Sequence, residues 1–138
     1  MMKRIILFLL PALLLGFAAG AQEPQKLNKK NLVIKEWKSS PGANNKELDH
    51  VTTFSPEGKK IEEIEYSSTG QKWRKRFEYG PEGKVSRELV YDEHNRLQTY
   101  KKFEYNEFNR KKVQYTYNAK GKLLSIKHYE YLAQDGGD

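Results

Sequence analysis

Residues 79–97 read Tyr-Gly-Pro-Glu-Gly-Lys-Val-Ser-Arg-Glu-Leu-Val-Tyr-Asp-Glu-His-Asn-Arg-Leu. The stretch makes one statement twice. Tyr79 and Tyr91 each open a five-residue unit that closes on Gly83 or Asn95, and a basic and an apolar residue follow. Gly and Asn adopt a left-handed backbone at least cost, so the fifth position predicts a turn with positive φ. Pro81 suits the second position of such a turn. The apolar residue then starts a strand, and the next aromatic ends it.

Outward from this stretch the unit recurs as Phe54-Ser-Pro-Glu-Gly58, Tyr66-Ser-Ser-Thr-Gly70, Tyr105-Asn-Glu-Phe-Asn109 and Tyr117-Asn-Ala-Lys-Gly121. The leading aromatics stand 12, 13, 12, 14 and 12 residues apart. That period leaves roughly eight residues of strand per turn, a normal strand length. Gly58, Gly70, Gly83, Asn95, Asn109 and Gly121 are therefore predicted structural turn residues. Regular short strands with turn signals predict an all-β protein. The expected architecture is an antiparallel meander of seven or eight strands, as an open curved sheet or a small barrel.

Alternation sets the expected faces. Trp73, Lys75, Phe77 and Tyr79 share one face by the two-residue period. Val85, Arg87, Leu89 and Tyr91 repeat the arrangement, as do Leu97, Thr99, Lys101, Phe103 and Tyr105, and then Val113, Tyr115 and Tyr117. Residues 31–38 and 47–54 predict two further strands, with a Pro- and Asn-bearing loop between them. In residues 60–66, Ile61 and Ile64 break the alternation, which a bulge would explain. Residues 122–132 are apolar on both parities and read as strand or helix. The expected domain covers residues 31–132, with tails at 22–30 and 133–138.

The chain has 138 residues, room for one ordinary domain. It has no Cys, which excludes disulfides, Cys-ligated zinc and a thiol nucleophile. Lys3 and Arg4, an apolar run from Ile5 to Phe17 and the small residues Ala19-Gly20-Ala21 follow the order of a secretory signal peptide. The apolar run is short of the roughly 20 residues that span a bilayer, so no transmembrane span is expected in the mature chain. Cleavage after Ala21 removes two of 25 basic side chains, leaving 23 against 18 acidic ones and a net charge of +5. The expected location is periplasmic or extracellular, which makes nucleic acid an unsuitable partner for this mild positive charge.

Tyr91-Asp92-Glu93-His94-Asn95-Arg96-Leu97 and Tyr117-Asn118-Ala119-Lys120-Gly121-Lys122-Leu123 resemble the tyrosine–aspartate (YD) repeats of RHS-type bacterial proteins. The resemblance covers about residues 54–131 and implies strands wound into sheets or shells, with cell-surface contact and proposed carbohydrate binding. Ser55, Ser67 and Gly80 depart from the acidic or amide residue after the aromatic. Six units are too few to enclose a passenger domain. A weaker likeness is to MORN-like antitoxin repeats, which also place Gly in aromatic-rich turns.

Chemistry is sparse. His50, His94 and His128 fall in no metal-ligand spacing, and no phosphate loop or nucleophile elbow occurs. No catalytic residue, metal or cofactor is expected. One constellation stands out: Lys75–Phe77, Arg87–Leu89, Lys101–Phe103 and Lys127–Tyr129 each put a basic residue two positions before a large apolar one. Aligned strands would turn Lys75, Phe77, Arg87, Lys101, Phe103, Lys127 and Tyr129 into a basic stripe beside an aromatic one, suited to an anionic polymer. The expected function is thus an exported, non-catalytic β-repeat binding protein for an envelope polymer or a protein partner. The alternatives are a carrier holding a small apolar ligand in a barrel interior, and an antitoxin or immunity-like protein. An exposed remainder of the aromatic face would invite a homodimer.

Overall fold

The computed structural model describes residue 20 and residues 25–134. The expected signal peptide lies outside the described residues apart from Gly20, as do residues 22–24 and 135–138 of the expected tails. Eight strands follow one another in the described part: β1 (Val33–Lys38), β2 (Glu47–Phe54), β3 (Lys60–Ser67), β4 (Gly70–Tyr79), β5 (Val85–Tyr91), β6 (Leu97–Tyr105), β7 (Lys111–Asn118) and β8 (Leu123–His128). They form one sheet in chain order, and every neighbouring pair is antiparallel. The protein is an all-β meander, and residues 123–128 are strand rather than helix.

The sheet is open. Every contact between elements joins neighbours in sequence, so β1 and β8 do not meet. Closure would require that last pairing at a fixed stagger. The barrel alternative therefore fails, and the open curved sheet stands. Both outermost strands are short and carry charge: Lys35, Glu36 and Lys38 on β1, Lys127 on β8. Such charges discourage indiscriminate edge pairing.

The turns explain the repeat residue by residue. Asn95, at φ 59, stands where the chain reverses after Tyr91. The Asp92 N–H donates to the Arg96 carbonyl at 3.0 Å, and the Asn95 N–H donates to the Asp92 carbonyl at 3.1 Å. The Asp92 carboxylate accepts two more backbone N–H groups, from His94 and Arg96, both at 2.9 Å. Asn106 and Asn118 cap their turns in the same way. This is why an acidic or amide residue follows the aromatic: its short side chain mimics a backbone turn. Ser55 does so over longer distances, 3.3 and 3.2 Å. The remaining predicted turn residues also have positive φ: Gly58 81°, Gly70 126°, Gly83 79°, Asn109 59° and Gly121 85°. The Tyr66 copy differs in kind, because Ser67 pairs directly with Gly70 and Tyr66 with Gln71, five positions on, where the leading aromatic of every other copy pairs six positions on.

A second device accompanies each turn. In all seven hairpins the register slips by one residue just inside the second strand. Tyr79 pairs with Val85 but Glu78 with Arg87, which leaves Ser86 as the extra residue. Asp49, Ile61, Lys72, Gln98, Lys112 and Leu124 are the counterparts. A bulge bends its strand and reverses the side-chain phase beyond it. Ile61 is thus the bulge behind the broken alternation of residues 60–66.

The reversal corrects the expected faces. Cross-strand partners share a face. One face, called here the front, carries Trp73, Lys75, Phe77 and Tyr79, and the register adds Glu88, Lys101, Gln114 and Lys127 to it. Arg87, Leu89 and Tyr91 fall on the back, opposite Glu78, Arg76 and Arg74. Val113, Tyr115 and Tyr117 also lie on the back, opposite Glu104, Lys102 and Tyr100.

With no second layer among the described residues, the core is thin. Leu89 and Val113, both on the back face, are the buried apolar side chains among the described residues, at 9% and 6% exposure. Much of the remaining cohesion comes from cross-strand contacts. Tyr100 and Tyr117 stack at 4.9 Å, and Arg74 lies 4.3 Å over the Tyr91 ring. Along one edge three tyrosines act alike. The Tyr79 hydroxyl donates to the Lys60 carbonyl at 2.6 Å, Tyr105 to Val85 at 2.6 Å and Tyr131 to Lys111 at 2.8 Å. Tyr79 and Tyr105 reach the first residue of the strand before their own, and Tyr131, three residues past β8, reaches the first residue of β7, each tying one hairpin together. Burial raises the pKa of Tyr79 and Tyr105, which keeps these hydroxyls as donors.

Candidate functional site: a cationic and aromatic surface on β6–β8

The sequence-predicted stripe is divided by the fold. Lys75, Phe77, Lys101, Phe103, Lys127 and Tyr129 occupy the front, and Arg87 the back. Arg87 is also spoken for. Its Nε and Nη2 donate to the two Glu78 oxygens, both at 2.9 Å. That fork holds the Glu78 carboxyl below its ordinary pKa and raises the pKa of Arg87, the hydrogen bond being the main cause of each.

Lys75 has an acidic neighbour on each side. The Glu88 carboxylate stands 3.7 Å from its ammonium, and Glu63 is its cross-strand partner on β3. Glu88 also pairs with Lys101 across the β5–β6 ladder, and so closes the acidic side of the surface. The front of β2 and β3 is mixed as well. There His50 Nδ1 meets Glu65 at 2.9 Å and packs edge-on against Trp73 at 5.9 Å.

Beyond Glu88 the front changes character. Within β6–β8 it holds Lys101, Lys111 and Lys127 and no carboxylate. None of the three makes an ion pair among the described residues. The Lys111 ammonium sits 4.4 Å over the Phe103 ring, and that of Lys127 sits 5.3 Å from the Tyr129 ring. Tyr129 is fixed in turn by its hydroxyl donating to Gln114 Oε1 at 3.2 Å. Thr116 and Ser125 lie opposite each other between these groups. The result is a shallow surface of cations, aromatic rings and neutral hydrogen-bonding groups. Carboxylate or sulfate groups can meet the ammoniums while sugar faces rest on the rings.

The back face offers a groove of about 460 Å³, bordered by Glu78, Arg87, Lys102, Glu104, Tyr115 and Tyr117. Its polar groups largely serve each other: Arg87 holds Glu78, and the Tyr115 hydroxyl donates to Glu104 at 3.1 Å. Among the described residues no three His, Asp or Glu side chains are grouped to hold a metal ion.

Sequence reasoning missed Lys111, Gln114 and Thr116. The signal for Lys111 was its place six residues after Tyr105, the interval that separates Tyr79 from Val85. Those positions pair directly, so Lys111 belongs on the face of Tyr105.

No protein-family model matches the chain, and no curated relative matches it. Among solved structures, the chain is similar to one from the crystal structure of a GtfA/B complex bound to UDP and GlcNAc, at 14% identity and a TM-score of 0.29. The match covers 78% of this chain, which spans 21% of that one, and a likeness so distant carries no argument about function.

Proposed function

We propose that the protein is an exported, non-catalytic binding module whose β6–β8 front face takes an anionic polysaccharide. The observation that supports this is the gathering of Lys101, Lys111 and Lys127 beside Phe103 and Tyr129, with no carboxylate on that part of the face. Export rests on the N-terminal order of basic, apolar and small residues. An envelope polymer is the anion such a protein meets in quantity. The resemblance to YD repeats points the same way.

The test is binding of the purified protein to acidic and neutral polysaccharides across a salt series. Acidic polymers should bind selectively. Lys101→Ala with Lys111→Ala should weaken binding about five- to thirtyfold, since two exposed charge contacts contribute about 0.5–1 kcal/mol each. Arg87→Ala, on the other face, should leave binding unchanged. Equal binding of neutral polymers, or indifference to the lysine changes, would refute the reading.

A further inference from the structure

The sheet ends in two strands with one free edge each among the described residues, and both present apolar side chains to solvent. Trp37 and Val33 of β1 are 46% and 49% exposed, and Ile126, Leu124 and Leu123 of β8 are 48%, 54% and 42% exposed. β1 is an odd strand and β8 an even one. Placed side by side in two copies of equal orientation, they continue the antiparallel alternation of the sheet.

The register between them is supplied by the molecule itself. β4 with β5 and β6 with β7 pair alike: Arg74 meets Tyr91 as Tyr100 meets Tyr117, and Lys75 meets Val90 as Lys101 meets Thr116. β1 and β8 align with those strands through their own ladders. Trp37 faces Leu48 as Tyr117 faces Leu123, and Ile126 faces Tyr115 as Tyr100 faces Leu89. Carried from β8 of one copy to β1 of the next, the rule pairs Ile126 with Trp37, Lys127 with Glu36 and Tyr129 with Ile34. The two exposed apolar residues cover each other, and the β8 lysine meets the β1 carboxylate. The other in-strand pairs, His128 with Lys35 and Ser125 with Lys38, bring no attraction.

The alternatives fit worse. β2 and β3 are slid by two residues relative to this rule, with Val51 opposite Ile64. Between copies that register sets Ile126 against Lys35 and leaves Lys127 opposite Ile34. Pairing β8 with β8 of a second copy offers Lys127 no carboxylate on either strand.

We infer that the protein associates with itself head to tail, β8 of one copy adding to β1 of the next, with Ile126–Trp37 and Lys127–Glu36 as the specifying pairs. Such a contact is heterologous rather than two-fold, so each copy added leaves a β1 edge and a β8 edge free for the next and the sheet grows beyond a dimer. Cross-strand pairs of this kind provide both cohesion and register.

The experiment is light scattering on the purified protein over a concentration series, with tryptophan emission recorded in parallel. The average mass should rise continuously with concentration, and emission should shift to the blue as Trp37 is covered. Glu36→Lys and Lys127→Glu should each weaken association about tenfold, because an attractive pair becomes a repulsive one. Both residues are exposed, and circular dichroism verifies that each variant keeps its fold. The two variants mixed in equal amounts should recover assembly, since each then finds an opposite charge on its neighbour. A protein monomeric throughout, a mass that stops at a dimer, or a mixture that fails to recover would each overturn the inference.

Discussion

Replacing Gly83 by Val tests the turn on which the repeat rests. Gly83 has φ 79°, and a Cβ built there falls 2.7 Å from the Lys59 Nζ and 3.8 Å from its Cε. The ammonium is the free end of a flexible side chain and can swing aside. Doing so gives up its place 5.0 Å over the Tyr79 ring, a contact that contributes about 0.5–1 kcal/mol at an exposed site. The larger cost is backbone strain. A β-branched residue held in the left-handed region costs about 1–3 kcal/mol. At roughly 3–6 °C per kcal/mol for a domain of this size, Gly83→Val should lower Tm by about 4–24 °C. Thermal circular dichroism reads this directly. Glu82→Val, at an exposed neighbouring position, is the first control and should move Tm little. Gly83→Asn is the sharper one. It adds the same Cβ, yet Asn occupies this φ region at Asn95 and Asn109. It should therefore displace the lysine but escape most of the strain. If Val and Asn lower Tm equally, displacement of Lys59 rather than φ is responsible. Should neither differ from Glu82→Val, the turn assignment itself is wrong.

Tyr105→Phe removes the hydroxyl that donates to the Val85 carbonyl and should cost about 0.5–1.5 kcal/mol in urea unfolding, with no change in circular dichroism. Leu89→Ala should cost about 2–3 kcal/mol, whereas Leu124→Ala, at 54% exposure, should cost well under 1 kcal/mol. Asp92 titrates below its ordinary value of 3.8, chiefly because the Arg96 backbone N–H donates to it. A depressed carboxylate pKa contributes stability that is complete above about pH 5 and is lost as pH falls through the native pKa, below 3.8. Asp92→Asn should keep the turn, as Asn106 and Asn118 do, and flatten the loss of Tm between pH 5 and pH 2. Hydrogen exchange should be slowest in β4 to β6 and fastest in β1 and β8, because each strand is held only by its immediate neighbours.

The turns were legible because their chemistry is local. A positive φ asks for Gly or Asn, and Asp92, Asn106 and Asn118 cap within four residues of chain. Strand number and pairing order followed from the regular spacing. The faces were not legible, because the two-residue period assumes unbroken strands. One extra residue per hairpin reverses it, and that residue has no fixed identity: Ser86, Gln98, Lys112 and Leu124 all serve. Arg87 was misplaced for this reason alone. The broken alternation at Ile61 and Ile64 was the visible trace of a feature present in every hairpin. The division of the cationic stripe by Glu88 was hidden for another reason. It depends on which residue lies opposite Lys101 across a turn, and the bulge decides that.

Since every bulge reverses the phase, two successive hairpins are needed before an aromatic returns to the same face and the same edge. Phe54 to Tyr79 and Tyr79 to Tyr105 are such steps, 25 and 26 residues long. A gene encoding this sheet can therefore lengthen or shorten by in-frame segments of that size and leave every surviving neighbour relation intact. An odd number of strands would instead send the chain out at the wrong edge, with its aromatics on the wrong side. Heritable change in length is thus steered toward strand pairs, with the hairpin geometry acting as its ruler.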